Sequence, residues 1–145
     1  MKQELVSNHN YMEYHGIHEC IEFVVLLNSG GWRTAYVNVK GTFFEHLDYM
    51  ECDNYIDVHG GFTYKDDRLP FEHEPNDYFT WLGWDYAHCC DGYDLQAVKK
   101  YFGESEYTKM KEYSLNLFHN NAHVYTLDEV ISDCINVVEH IKKGV

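Results

Sequence analysis

The stretch Cys20-Ile21-Glu22-Phe23-Val24-Val25-Leu26-Leu27-Asn28-Ser29-Gly30-Gly31, continuing through Trp32-Arg33-Thr34 into Ala35-Tyr36-Val37-Asn38-Val39-Lys40, decides the fold class. Cys20 to Leu27 is rich in strand-forming residues, and Asn28-Ser29-Gly30-Gly31 is a strong turn signal. Beyond the turn, Ala35, Val37 and Val39 alternate with Tyr36, Asn38 and Lys40. That period of two is the mark of a strand with one buried face. Glu19 to Lys40 therefore reads as a β-hairpin, the seed of an antiparallel sheet.

Working outward, Tyr55 to Val58 and Trp81 to Trp84 predict shorter strands, each running straight into a histidine-bearing motif. The segment Lys65 to Tyr78 holds both prolines, Pro70 and Pro75, and many charges, so it reads as a surface loop. Asp94 is a suitable N-cap for a helix over Leu95 to Phe102, with Gly103 as its terminator. Thr126-Leu127-Asp128-Glu129 is a capping box, in which Thr126 and Glu129 satisfy each other's free backbone donors. Leu127, Val130, Ile131, Cys134, Val138 and Ile141 then recur at helical spacing on one face. Lys142, Lys143 and Gly144 close this last helix with the favoured cations and a C-terminal glycine. The predicted fold is α+β: an antiparallel sheet packed against a long C-terminal helix and one shorter helix, in a single domain over residues 1–145.

Composition bounds the partners. Of 145 residues, 45% are hydrophobic and 17% aromatic, with 13 tyrosines, so a folded core is expected and disorder is not. No apolar run approaches the roughly 18 residues needed to span a bilayer. Met1-Lys2-Gln3-Glu4 lacks the apolar segment of a secretory signal, so a cytoplasmic location and no membrane partner are expected. The formal net charge is −13, with 24 acidic against 11 basic residues. Nucleic-acid affinity rests on clustered Lys and Arg, so general nucleic-acid binding is disfavoured. The acidic residues are dispersed among aromatics rather than run in blocks, which argues against DNA mimicry. Five cysteines (20, 52, 89, 90 and 134) without a Cys-x-x-Cys pattern read as reduced thiols rather than a zinc ribbon. The sequence leaves association into a homo-oligomer open.

The chemistry concentrates in Val58-His59-Gly60-Gly61-Phe62-Thr63-Tyr64 and Trp81-Leu82-Gly83-Trp84-Asp85-Tyr86-Ala87-His88-Cys89-Cys90-Asp91. Histidine and aspartate are the side chains of metal ligation and proton transfer. Gly60 and Gly61 let a backbone turn, or approach a ligand, where a Cβ would clash. Asp85-x-x-His88-x-x-Asp91 keeps its three side chains close, stacked on a helical turn or gathered in a loop after a strand. An Asp and a His in contact form an acid–base pair, making His88 and Asp85 the candidate catalytic pair. With His59 they form a set of His59, Asp85, His88 and Asp91 suited to zinc, manganese or iron. The bland alternative is that Asp85 caps a turn, His88 and Asp91 lie at the surface, and His59 hydrogen-bonds a neighbouring strand. A ligand pocket would draw on His59, Gly60, Gly61, Thr63, Asp85, His88 and Asp91, with Trp81 and Trp84 as stacking walls. Both motifs fall where strands end, so convergence at one rim of the sheet is expected. His119-x-x-x-His123 has helix-compatible ligand spacing, but Asn120-Asn121 argues for a loop there. No Walker loop, nucleophile elbow or Gly-rich dinucleotide fingerprint is present.

The order His-Gly-Gly-Phe-Thr-Tyr, then Trp-x-Gly-Trp-Asp-x-Ala-His-x-x-Asp, resembles a family of small uncharacterised proteins of tailed phages and prophages. Tyr125-Thr126-x-x-x-Val130-x-x-x-Cys134 extends the resemblance, which covers roughly Cys20 to His140. The chain departs from the family pattern at Trp84, where phenylalanine is usual, and at Cys90-Asp91, where Gly-Asp is usual. The resemblance implies a phage origin and a shared site rather than a particular reaction. Three functions follow as expectations. The first is a phage accessory protein that binds a small, nucleotide-derived ligand and sequesters a host immune signal. The second is a metal-dependent or His/Asp acid–base hydrolase such as a phosphodiesterase. The third is a structural accessory whose motifs merely shape the fold.

Overall fold

The computed structural model describes residues 3–88, 90–116 and 122–144. Six strands, β1 (Glu4–Leu5), β2 (Asn10–His18), β3 (Ile21–Asn28), β4 (Arg33–Asn38), β5 (Tyr64–Asp66) and β6 (Trp81–Asp85), form one sheet. Their order is β1-β2-β3-β4-β6-β5, and every neighbouring pair is antiparallel. The hairpin lies where its pattern places it, with Phe23 opposite Val37 and Leu27 opposite Arg33. The Asn28 N–H donates to the Trp32 carbonyl at 2.8 Å and closes the turn.

Helix α1 (Tyr49–Cys52) lies between β4 and β5, and α2 (Leu95–Phe102), α3 (Glu104–Asn116) and α4 (Leu127–Lys143) follow the last strand. The α4 capping box forms as read, with Thr126 accepting from the Glu129 N–H and Glu129 accepting from the Thr126 N–H. Its buried stripe of Val130, Cys134, Val137, Val138 and Ile141 packs on Phe23, Val25, Ala35, Val37, Leu82 and Trp84 from one sheet face. Full burial of each aliphatic side chain stabilises by about 1.5–3 kcal/mol, so this layer is the main core. Met12, Val24, Leu26, Tyr36 and Trp81 point to the opposite face, where Leu69, Phe71 and Phe79 from the proline-bearing loop cover them. The strict alternation along β6, Trp81 to one side and Leu82 and Trp84 to the other, is what lets one strand serve both layers. Gly83 belongs to that arrangement, because a Cβ there would lie 2.6 Å from the Tyr36 ring. Tyr36 and Tyr64, both opposite Gly83, meet edge to face over it at 5.2 Å.

Several elements differ from the sequence expectation. Tyr55 to Val58 is not a strand. Asp48 and Glu51 form a capping box that starts α1 just upstream, and the Tyr55 and Ile56 N–H groups bond back to Cys52. Ile56 is buried alone from that turn, without a partner strand. The loop expected from Lys65 begins with β5, and the Lys65 ammonium donates to the carbonyls of Phe44, Glu45 and Leu47. Strand β2 carries no clean alternation because a bulge between Met12 and Tyr14 buries Met12 and Glu13 side by side. Helix α3 has no apolar stripe, and none of its residues from Glu104 to Tyr113 is buried, so periodicity had nothing to register. Among the described residues, no helix is long and apolar enough to cross a membrane.

Candidate functional site

The first motif is a turn. The Gly61 N–H bonds to the Val58 carbonyl at 3.0 Å, and Gly60 and Gly61 take φ of 72° and 82°. Phe62, 3% exposed, anchors the turn in the core, while its N–H donates to Asp53 Oδ1 at 2.9 Å. The Thr63 N–H then bonds to the Gly83 carbonyl at 2.9 Å, and Thr63 Oγ1 donates to Asp85 Oδ2 at 3.2 Å. These bonds tie the His59 turn to the end of β6.

The second motif leaves β6 and folds back on itself. Asp85 caps the exit by accepting the Ala87 N–H at 3.1 Å. Asp91 accepts the His88 N–H at 2.9 Å, while its own N–H bonds to the His88 carbonyl at 3.0 Å. Cys90 supplies the positive φ of 78° that this tight turn requires. The Asp91 carboxylate also receives His59 Nε2 at 3.0 Å and 2.8 Å on its two oxygens. The two motifs therefore meet. Asp91 is only 4% exposed, and a buried carboxylate persists ionised where donors surround it. Burial alone would raise its pKa, but the His59 hydrogen bond and the His88 N–H outweigh it and hold the carboxyl below its ordinary value of 3.8.

Gly60 lies against the His88 ring, with its would-be Cβ 2.2 Å from the ring carbon Cε1. His59 stacks on Tyr86 with ring centres 5.1 Å apart and planes at 9°, and also contacts Tyr125 at 4.5 Å and His88 at 5.2 Å. Beneath it runs a buried relay: Trp84 Nε1–H donates to the Tyr86 hydroxyl at 2.9 Å, and that hydroxyl donates to Asp133 Oδ2 at 2.6 Å. Burial, reinforced by the Asp133 carboxylate, pushes the Tyr86 hydroxyl far above its ordinary range, so it stays a donor.

One ligand atom each from His59, His88 and Asp91 lies within 4.8 Å of the other two. His59 Nε2 and Asp91 Oδ2 are 2.8 Å apart, and His88 Nδ1 and Asp91 Oδ2 are 3.4 Å apart. Atoms sharing a metal at about 2.0–2.2 Å lie roughly 3.0–3.5 Å from one another. The spacing fits. His88 Nδ1 is also a buried atom without a hydrogen-bond partner among the described residues, since its approach to Asp91 is not aligned for one. Such an orphan in a folded protein calls for an explanation, and an ion is one of the standard ones. Asp85 Oδ1 lies 3.6 Å from His88 Nε2, on the far side of the ring from Asp91. The cluster therefore leaves out Asp85, which the sequence reading grouped with it; its carboxylate accepts from Thr63 Oγ1 and the Ala87 N–H.

The tryptophans do not form ligand walls. Trp81 and Trp84 are each 1% exposed and sit on opposite faces of the sheet, Trp81 stacked on Phe79 and Trp84 against Phe62. His59 instead lines a cavity of about 290 Å3 between the Ile56–His59 segment and α4, shared with Asp57, Tyr125, Asp133 and His140. Sequence reading missed Asp57, Asp133 and His140. The available signal was helical spacing, since Asp133, Asn136 and His140 fall on one flank of α4 beside its apolar stripe. His123 pairs with Asp91 in an isolated parallel bridge and with Glu129 at 2.8 Å, whereas His119, Asn120, Asn121 and Cys89 lie outside the described residues. A larger cavity of about 720 Å3, between the β3–β4 turn and α3, holds none of the motif residues. Comparison with family models, with curated proteins and with solved structures gives no significant match.

Proposed function

We propose that this protein binds a divalent metal through His59 Nε2, His88 Nδ1 and Asp91, and uses the metal's remaining positions to hold a small, oxygen-bearing ligand. The observation that carries this reading is the cluster of three ligand atoms within 4.8 Å of one another, one of its histidines having an imidazole nitrogen with no hydrogen-bond partner among the described residues. Two histidines and one carboxylate suit zinc, manganese or iron, and three protein donors leave coordination positions for water or ligand. His59 and His88 have side chains 26% and 34% exposed, so the cluster sits just beneath the surface. With a net charge of −13, the chain repels bare phosphates, so a nucleotide-derived ligand of the kind the phage resemblance suggests would be bridged by the metal.

A second reading, metal-assisted hydrolysis, is favoured by the same three-donor count, which is that of catalytic rather than structural zinc sites. Cobalt substitution tests the shared core of both. Wild-type protein loaded with cobalt(II) should give ligand-field absorbance that is lost in His59→Ala and His88→Ala. Unchanged spectra in both variants would sink the proposal. Turnover of a chromogenic phosphodiester by the zinc form would move the function to hydrolysis, and metal binding without turnover would keep it as ligand capture.

A further inference from the structure

The cavity between the Ile56–His59 segment and α4 is lined by two carboxylates and two imidazoles, with the Asn136 amide and the Tyr125 hydroxyl as its side-chain donors. Asp57 and Asp133 bring carboxylates, which accept only when ionised. The Tyr86 O–H is committed to Asp133 Oδ2, leaving Asp133 Oδ1 without a partner among the described residues. His140 Nδ1 lies 2.8 Å from the Asn136 carbonyl and must donate to it, so Nε2 of the neutral ring is an acceptor. No lysine or arginine is among the described lining residues. The His59 and Tyr125 rings, 4.5 Å apart, add two π systems. Carboxylates, imidazole acceptors and π faces are the groups that receive a cation.

We propose that this cavity is a binding site for a small organic cation carrying a primary amine or guanidinium group. An ammonium or guanidinium supplies several donors and no acceptor, which complements the acceptors of Asp57, Asp133 and His140, with the His59 ring face beside them. The volume of about 290 Å3 sits at the lower edge of the roughly 300–1,000 Å3 usual for ligand pockets, so the ligand is a short alkyl amine or guanidine rather than a nucleotide. This site goes beyond the metal reading and shares only His59 with it.

Titration calorimetry of the full chain with agmatine, which carries both cationic groups, tests the assignment, with inorganic phosphate as the opposing probe. Saturable agmatine binding is expected, weakened at least tenfold in Asp133→Asn and in Asp57→Asn, with no phosphate binding. Asp57 is exposed, so Asp57→Asn keeps the test valid if Asp133→Asn proves unfolded by circular dichroism. Absence of saturable agmatine binding, undiminished binding in the folded Asn variants, or binding of phosphate in place of agmatine would each overturn it. His88 does not line the cavity, so His88→Ala should retain agmatine binding whatever it does to metal binding. That variant separates failure of this proposal from failure of the metal reading.

Discussion

Gly60 holds two conditions at once: a φ of 72° and a backbone pressed against the His88 ring. A left-handed conformation costs a residue with a Cβ about 1–2 kcal/mol, and an alanine here would also push the imidazole aside. Gly60→Ala should therefore lose about 1–2 kcal/mol or more of stability in urea melts and weaken metal binding, because His88 Nδ1 can no longer face Asp91. Metal affinity equal to wild type would mean that His88 is not held by this contact. Asp91 gives a pH signature. Its folded pKa lies below the ordinary 3.8, so its stabilising contribution is present above that value and disappears as pH falls through the lower folded value. Asp91→Asn should then be less stable than wild type at neutral pH, with the difference narrowing in acid below about pH 4, as read from urea midpoints across pH. A difference that stayed constant into acid would show that the loss comes from packing and not from the charge.

Between elements, one buried ion pair does the joining. Arg33 on β4 donates from Nε to Glu13 Oε1 at 2.6 Å on β2, and from Nη1 to the Tyr125 carbonyl at 3.0 Å beside the site. Nη1 also pairs with Asp94, the N-cap of α2, at 2.9 Å. Removing one partner of a buried pair strands the other, at about 3–5 kcal/mol. Glu13→Ala should thus cost far more than Thr126→Ala, whose capping bond is worth about 1 kcal/mol. Denaturant unfolding of the two variants side by side checks the ranking, and equal losses would mean that Arg33 finds other partners. The contrast explains what the sequence revealed at this level. The β3–β4 hairpin, β6, α2 and α4 were legible because turn, cap and stripe signals are local. Glu13 looked like an ordinary polar residue in a polar segment, and only the bulge in β2 and Arg33 across the sheet make it a core residue. Helix α3 was invisible for a different reason, since a helix that buries no side chain from Glu104 to Tyr113 writes no period into its sequence.

At the scale of the whole molecule, the sheet and α4 exist as a frame that brings two loops together from opposite ends of the central sequence. The residue types at the site could be read in advance, because His59, His88 and Asp91 stand in dense polar motifs. Their roles could not. Whether Asp85 or Asp91 faces His59, and whether the tryptophans face a ligand or the core, depends on strand registers that set Asp85 opposite Thr34 and Trp84 opposite Ala35. The acidic balance fits the proposed site, since both the proposed metal cluster and the neighbouring cavity call for positive charge. Binding that occurs only in the folded state also stabilises the fold, so zinc should raise the unfolding temperature of the wild-type chain. The most direct measurement is equilibrium dialysis against zinc with elemental analysis, on wild type and on His88→Ala confirmed as folded. One zinc per chain in wild type and none retained by His88→Ala is the expected result. No zinc in wild type, or equal zinc in both, would contradict a metal centre at His59, His88 and Asp91.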